Sequence, residues 1–300
     1  MIRPIHTLPA RLAKRLIPDR VVALAASGLQ QKRISAMMRV KNEASFLRAA
    51  VESIAALVDE VVIIDNASTD GTGDIAVKLR ADWPDKIRLI DYPHAVARVG
   101  VENLSLARSM DKRSPRLLAN YYNWCLRQCR MNFILKWDGD MVATPALKRH
   151  LHLFRNSGHL VLRVFGANVH PDRCHLVSAS PNDQENIQNR MQARMTVENW
   201  TSQYTDPEVR LFPKFFTQYR NDFWWCESLH TPWVHWPSLN LDPRPGGVPT
   251  PNECGFLHLK YCKTGAFDNF STDFGSAIAA GIQTGPLIPP PLNDVAASLQ

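Results

Sequence analysis

Long apolar segments are missing from this 300-residue sequence. No run approaches the roughly 18 residues of a membrane-spanning helix, and the longest near the start covers only residues 21–26. The basic N-terminus is interrupted by Pro4, Pro9 and Pro18 and no long apolar core follows it, so a secretory signal is not expected. The composition, 45% hydrophobic and 21% charged, is ordinary for a globular protein with one large α/β domain or two small ones.

Paired cysteine motifs are also missing. The six cysteines contain no C-x-x-C pair, and Cys125 and Cys129 stand four residues apart on one face of a predicted helix. This usage is typical of buried, reduced thiols. It therefore favours a cytoplasmic protein.

Acidic residues are scarce at the N-terminus, where residues 1–33 hold seven Lys or Arg residues against a single acid, Asp19. This arm carries a net charge of +6, out of +7 for the whole chain. It is either a solvated leader or a polybasic arm that rests on the anionic inner face of a membrane, with Leu12, Leu16 and Ile17 dipping in. Nucleic-acid binding would depend on this arm alone, because nothing like a nucleic-acid module follows it, so no nucleic-acid partner is expected.

Apolar periodicity from residue 34 onward predicts alternating strands and helices. Strands are expected at 34–38, 61–64, 87–90, 132–137 and 160–165, and helices at 46–58, 72–81, 116–130 and 145–156. This order predicts an α/β fold with a doubly wound, mainly parallel sheet. We expect a basic arm over 1–33, a domain over 34–283 and a proline-rich tail over 284–300. The domain has a regular first half, 34–165, and a less regular, aromatic-rich second half, 166–283.

Two acidic segments follow buried strands of the predicted sheet. Asp65 comes directly after the β-branched run 61–64, and an Asp-Gly-Asp sequence, 138–140, follows a later strand. Open α/β sheets bind ligands at the carboxyl ends of their strands, and Asp-x-Asp there suits a divalent cation that carries a diphosphate. Taken alone, Asp-Gly-Asp is also a common turn sequence, and Asp65 could cap a helix, a role open to Asp70 as well.

The order and spacing of these features resemble a nucleotide-sugar-dependent glycosyltransferase of family 2. Members of that family show an Asn-Glu turn after the first strand, here Asn42 and Glu43. They next show a strand that ends in Asp with Ser-Thr-Asp-Gly-Thr shortly after, here Asp65 and residues 68–72. They also carry an Asn some fifteen residues before the Asp-x-Asp, and Asn123 stands there in this chain.

The resemblance implies a GT-A-type fold and an inverting, metal-dependent transfer of one sugar from a nucleoside-diphosphate donor, with a UDP-sugar favoured. The acceptor would be a glycan or a lipid-linked glycan. The resemblance assigns the nucleotide sugar to 34–165 and the acceptor to 166–283. It implies that Mn²⁺ or Mg²⁺ is held by Asp140, Asp138 and His258. The residues expected to contact the nucleotide sugar are Arg39, Lys41, Asn42, Glu43, Asp65, Asn123, Asp138 and Arg210.

The catalytic base has several candidates. Residues 208–212, Glu-Val-Arg-Leu-Phe, resemble the Arg-Leu-Phe segment of polysaccharide-building members, in which a His-Glu patch usually follows. Here His230 is followed by Thr231 instead of an acid. The candidates for the base are, in order, Glu227, Asp222 and Glu208, and His230 is expected in the active site.

Two other functional classes remain open. A nucleotidyltransferase also uses an α/β sheet and a metal, but it needs a glycine-rich phosphate loop near the first strand, and residues 34–45 contain no glycine. A non-catalytic glycan-binding protein could keep the fold, although retention of both Asp138 and Asp140 argues against it. The aromatic group of the second half is either core or a platform for stacking a sugar; it consists of Trp224, Trp225, Trp233 and Trp236.

Overall fold

The computed structural model describes most of the first half of the domain and parts of the second. The described residues are 31–97, 101–169, 176–177, 205–223, 226–235, 238–241, 254–259, 262–263 and 282–283. The predicted tail and all but the last three residues of the basic arm lie outside them, so the division into three parts stays a prediction. None of the described helices is long and apolar enough to cross a bilayer.

Helices and strands alternate in the first half of the described chain, and strands dominate after it. The helices are α1 (Leu47–Ala55), α2 (Thr72–Asp82), α3 (Val101–Ser109), α4 (Leu118–Gln128) and α5 (Pro145–Arg155). The strands of the first half are β1 (Ile34–Val40), β2 (Glu60–Asp65), β3 (Ile87–Asp91), β4 (Phe133–Asp138), β5 (Met141–Ala143) and β6 (Val161–Asn168). The later strands are β7 (Leu176–Val177), β8 (Thr205–Pro213), β9 (Gln218–Phe223), β10 (Cys226–His230), β11 (Ser238–Leu241), β12 (Phe256–His258) and β13 (Ile282–Gln283).

One large sheet organises the molecule. Its strand order is β3-β2-β1-β4-β8-β6-β12-β5, and β11 pairs with β6 off this path. The strands β3, β2, β1 and β4 run parallel to one another, whereas β8 is antiparallel to both of its neighbours, β4 and β6. Strand β12 is parallel to β6 and antiparallel to β5. The predicted α/β class with a mainly parallel central sheet is therefore confirmed.

Alternation along the central strands separates two apolar cores, one on each face of the sheet. Ala36 and Met38 of β1 pack into the core under α1, α2 and α5, whereas Met37 faces the core under α4. Every residue of β2 is buried. A strand that is covered on both faces needs a nearly continuous apolar run, and 61–64 supplies one.

The structure corrects one prediction from the sequence and decides one alternative that the sequence left open. Periodicity predicts no helix between residues 92 and 114, and α3 shows that this is wrong; the helix lacks a continuous apolar face, so its period is not visible in the sequence. Trp233 is only 3% exposed and belongs to the core under α1. It is therefore not part of a sugar-stacking surface, and the other three tryptophans of that group lie outside the described residues.

Candidate functional site at the carboxyl edge of the sheet

Parallel pairing brings the predicted acidic segments to one edge of the sheet. In the register of β1, Arg39 lies opposite Asp138 of β4 and Val40 lies opposite Asp65 of β2. Because the three strands are parallel, their carboxyl ends meet at this edge. The juxtaposition that the motifs predict is therefore present in the fold.

Asp138 is held by two buried arginines. Its Oδ1 lies 2.5 Å from Nη2 of Arg39, and its Oδ2 lies 3.4 Å from Nη1 of Arg210. Arg39 stacks over the ring of Tyr122 at 3.7 Å, and Arg210, on β8, is 1% exposed and lies over the ring of Phe256 at 4.9 Å. Burial works to raise the pKa of Asp138, but the charges of Arg39 and then Arg210 hold it below its usual value.

Asp140 contacts a histidine and a lysine that come from the far end of the chain. Its Oδ1 lies 3.3 Å from Nε2 of His258, and its Oδ2 lies 2.8 Å from Nζ of Lys263. The antiparallel pairing of β12 with β5, together with a hydrogen bond from the Leu259 N–H to the Asp140 carbonyl, fixes this arrangement. Although burial works to raise it, the pKa of Asp140 is well below its usual value because His258 and Lys263 favour the carboxylate.

Glu43 shares the same ammonium. Its Oε1 lies 2.6 Å from Nζ of Lys263, and its Oε2 is buried without a hydrogen-bond partner. Burial, and then the charge of Asp140, raise the pKa of Glu43 to about 8, with Lys263 opposing them. One ammonium thus contacts two buried carboxyl groups. Gly139 permits this approach, because a Cβ added there would lie 2.8 Å from Cγ of Glu43.

Several predicted contact residues build the loops of the edge. Asn42, in the left-handed region at φ 57°, accepts a hydrogen bond from the Thr69 N–H at 2.8 Å. Asp70 accepts one from the Ala44 N–H at 3.0 Å, so the loops after β1 and β2 are tied together. Asp65 is 8% exposed, and its Oδ1 accepts from both the N–H and the hydroxyl of Ser68. Lys41, beside Asn42, is exposed to solvent.

The predicted Asn123 serves a structural contact on α4. Its amide donates to the Tyr219 carbonyl at 2.7 Å and accepts from the Tyr219 N–H at 2.8 Å, so it joins α4 to β9. This two-way contact uses both ends of the amide. Asn123 is therefore placed next to β9, and its predicted contact with the nucleotide sugar stays a prediction.

Of the candidate bases, Glu227 is the one whose position is best defined. Its Oε1 lies 3.8 Å from Nζ of Lys136 on β4, a strand neighbour of β1. Burial lowers the pKa of Arg39, but the charges of Asp138 and then Glu227 raise it above its usual value. Glu227 therefore belongs to the electrostatic surroundings of Arg39.

The remaining candidates lie on the strands β8, β9 and β10. His230 has its Nε2 3.1 Å from Oγ of Ser228 on the same strand. Asp222 is on β9 and Glu208 is on β8, and for both of these only the backbone is described. The structure therefore brings Glu227 close to the site and leaves the choice among the bases as a prediction.

The donor atoms beside Asp140 fit a divalent cation. Within the described ranges no group of three or more His, Cys, Asp and Glu side chains is already arranged around a common point. However, Oδ1 of Asp140 and Nε2 of His258 converge at 3.3 Å, and Oε2 of Glu43 is a buried acceptor without a partner. Carboxylate oxygen and imidazole nitrogen are ligands that Mn²⁺ accepts. Asp138, by contrast, is already neutralised by its two arginines.

Lys263 is the residue of this site that the sequence reading missed. It lies more than a hundred residues beyond Asp140, in a segment without a recognisable pattern. The only signal in the sequence for this part of the site was the nearby His258, which the family resemblance assigns to the metal.

Residues 35–100 match the family model described as glycosyl transferase family 2. The predicted resemblance is confirmed. The matched segment includes Arg39, the Asn42-Glu43 turn and Asp65. The chain is also 29% identical over 146 residues to EpsE of Bacillus subtilis (strain 168), whose name assigns it to the glycosyltransferases. That alignment covers 45% of each protein, so the chain spans less than half the length of the curated relative that it matches.

Solved structures resemble the chain over part of their length. S. aureus TarS 1–349 in complex with UDP-GlcNAc is 19% identical, covering 46% of this chain and 34% of its own, with a TM-score of 0.32. The mannosyltransferase PcManGT from Pyrobaculum calidifontis, with GDP-Man and Mn²⁺, is 18% identical, covering 54% and 46%, with a TM-score of 0.31. Glucosyl-3-phosphoglycerate synthase from Mycobacterium tuberculosis is 13% identical, covering 71% and 63%, with a TM-score of 0.35.

Proposed function

We propose that this protein is an inverting, metal-dependent glycosyltransferase. It moves a sugar from a nucleoside-diphosphate donor, with a UDP-sugar favoured, to a glycan or lipid-linked glycan acceptor. The observation that carries the proposal is that the two carboxylates of the Asp-Gly-Asp sequence, at the sheet edge, have different partners. Asp138 is bound to two arginines, whereas Asp140 faces His258 and Lys263. The family match over 35–100 supports it independently.

The two carboxylates have different roles in this proposal. Asp140 and His258 would hold the divalent cation, Mn²⁺ or Mg²⁺, and Asp138 would orient Arg39 and Arg210 toward the phosphates. A cation held there supplies positive charge where the leaving diphosphate becomes more negative. Lys263 supplies one further positive charge. Its ammonium would have to move away from Oδ2 of Asp140 if that oxygen bound the cation.

The acceptor hydroxyl loses its proton as it attacks the anomeric carbon from the face opposite the leaving group. Glu227 is our first choice for the base that receives this proton, ahead of Asp222 and Glu208, with His230 nearby. Glu227 is nearly buried, and its Oε1 lies 3.8 Å from Nζ of Lys136, which places a carboxyl group beside the site where a general base is needed. The main task of the remaining residues is to position and stabilise charge, because an inverting transfer needs no covalent intermediate.

The place of the protein in the cell is part of the proposal. We place it in the cytoplasm, with residues 1–33 resting on the anionic inner face of the membrane, near a lipid-linked acceptor. The basic composition of this arm supports that placement. Removal of residues 1–30 should lower co-sedimentation with acidic liposomes and leave turnover of a soluble acceptor unchanged, since it spares Lys32, which is 7% exposed and donates to the Phe154 carbonyl. Equal sedimentation of both proteins would contradict it.

A panel of nucleotide sugars tests the transfer itself. Product formation from each donor is measured with Mn²⁺, with Mg²⁺ and with EDTA. Asp140→Asn should abolish metal-stimulated transfer, whereas Asp138→Asn should leave measurable activity and require more donor. Asp85→Asn, which removes an exposed carboxylate, is the matched control. Transfer that is indifferent to EDTA, or normal metal dependence in Asp140→Asn, would overturn the metal assignment.

A further inference from the structure

A cleft of about 540 Å³ opens beside α4, on the side where Asn123 joins β9. It lies between α4, the loop before that helix and the turn from β8 to β9. We refer to it as the basic cleft, and its lining residues are Lys112, Arg113, Asn120, Asn123, Leu126, Arg127, Lys214, Thr217 and Gln218. None of the ion pairs of the candidate active site involves these side chains.

The charge of the basic cleft has one sign. Four of the lining residues are basic, namely Lys112, Arg113, Arg127 and Lys214, and none is acidic. The acid nearest in sequence, Asp111, accepts a hydrogen bond from the Arg113 N–H and does not line the cleft. Lys214 is anchored, because its ammonium donates to the Cys129 carbonyl at 2.5 Å. A concave surface with this lining attracts anions, and guanidinium groups pair well with phosphate oxygens.

Two exposed aromatic residues adjoin the cleft. Phe215 and Phe216 follow Lys214 directly and are 36% and 57% exposed. The buried Trp233 supports them, since its indole N–H donates to the Phe215 carbonyl at 2.8 Å and its ring lies 5.9 Å from that of Phe215. Phe216 has a φ of 59°, a left-handed conformation that bulky side chains rarely adopt. We call these two rings the aromatic ledge.

The basic cleft and the aromatic ledge together suit a ligand that has both an anionic group and an apolar part. The other large apolar side chains exposed on the described surface, Val77 and Leu153, stand singly on two different helices, which is ordinary for a surface. A small soluble phosphate such as glycerol 3-phosphate has no apolar body for the aromatic ledge to contact. A lipid offers both a phosphate for the cations and an apolar body for the rings.

We propose that the basic cleft binds the phosphate group of an anionic lipid while the aromatic ledge contacts the apolar part of that lipid. This site is separate from the basic arm of residues 1–33, and it does not depend on the transfer reaction. It would hold the folded domain itself against the membrane surface.

Vesicle binding by the full chain tests the proposal. Co-sedimentation is measured with vesicles of phosphatidylcholine alone and of phosphatidylcholine mixed with phosphatidylglycerol. Joint replacement Lys112→Gln, Arg113→Gln and Arg127→Gln should weaken binding to the mixed vesicles by at least about ten-fold, since each basic group near such a surface contributes several-fold to affinity. Phe216→Asn should weaken it too, and asparagine suits the left-handed backbone, so the fold is preserved.

A control protein removes the same charge elsewhere. Lys78→Gln, Arg80→Gln and Lys148→Gln replace three exposed basic residues on α2 and α5, and this protein should keep most of its vesicle binding. Equal losses in the two triple variants would overturn the proposal, because net charge alone would then explain binding. Glycerol 3-phosphate binding is measured by calorimetry as a third arm. If the cleft variant loses that binding and keeps vesicle binding, the ligand is a soluble phosphate and the lipid assignment is wrong.

Discussion

The ion triad of Asp138 offers the sharpest test of the structure. Asp138→Asn removes the carboxylate that both Arg39 and Arg210 contact, while the amide keeps the size of the side chain and one acceptor oxygen. The side chains of Arg39 and Arg210 are 7% and 2% exposed, so water cannot replace the lost charge easily. The variant therefore removes a negative charge that directly contacts two buried cations, and this loss should be destabilising.

The size of the effect follows from burial. Removal of one partner from a buried ion pair costs about 3–5 kcal/mol. The Asp138 side chain is 28% exposed and the asparagine still accepts a hydrogen bond, so we expect about 2–3 kcal/mol. For a chain of 300 residues, with an unfolding entropy of about 2.1 cal/mol/K per residue, that corresponds to a fall of roughly 3–5 °C in melting temperature. Asp85→Asn, at an exposed position, should change the free energy of unfolding by less than about 1 kcal/mol.

Urea unfolding at several pH values separates the effect of the Asp138 charge on stability from the effect of its side-chain shape. The pKa of Asp138 is lowered in the fold, so its stabilising contribution is present above about pH 4 and is lost as the pH falls through the folded-state pKa. The difference in unfolding free energy between the parent protein and Asp138→Asn should therefore become smaller at acid pH. Arg210→Met should cost less in the Asp138→Asn background than alone. Strict additivity, or a loss no larger than that of Asp85→Asn, would refute the triad.

Three further changes test other contacts. Asn123→Ala should cost about 1–3 kcal/mol of unfolding free energy, because the backbone N–H and carbonyl of Tyr219 lose their partner. In EDTA, the parent protein should lose stability as the pH rises from about 4.5 to about 8, because the folded chain keeps the Glu43 proton that the unfolded chain releases, and Glu43→Gln should flatten that slope. Gly139→Ala should lower the melting temperature, since its Cβ would lie 2.8 Å from Cγ of Glu43 and 3.0 Å from Cγ1 of Val40.

Matched variants make these outcomes decisive. Gly158→Ala adds a Cβ with nothing within 4 Å and should be neutral, so an equal effect at the two glycines would contradict the steric account. Asn123→Asp keeps the acceptor and loses the donor, and it should fall between the parent protein and Asn123→Ala. An unchanged pH slope in Glu43→Gln would show that this carboxyl does not keep its proton in the fold.

The sequence by itself determined the architecture around the site. The β-branched run 61–64 could only be a strand covered on both faces, and Asp65 at its end marked the carboxyl edge. The proline at the start of α5 and the apolar spacing of α1 and α4 were equally visible, because these signals are local. The order of the acidic motifs was enough to identify the resemblance to family 2.

Tertiary structure alone decided how the charges are shared. The antiparallel strand β8 brings Arg210 to Asp138, and β12 brings His258 to Asp140. Lys263 then reaches both Asp140 and Glu43. These partners are separated along the chain by tens to hundreds of residues, and only strand register and loop path set their distances. A sequence pattern records local periodicity, so it placed the carboxylates at the edge but could not say which cation neutralises each of them.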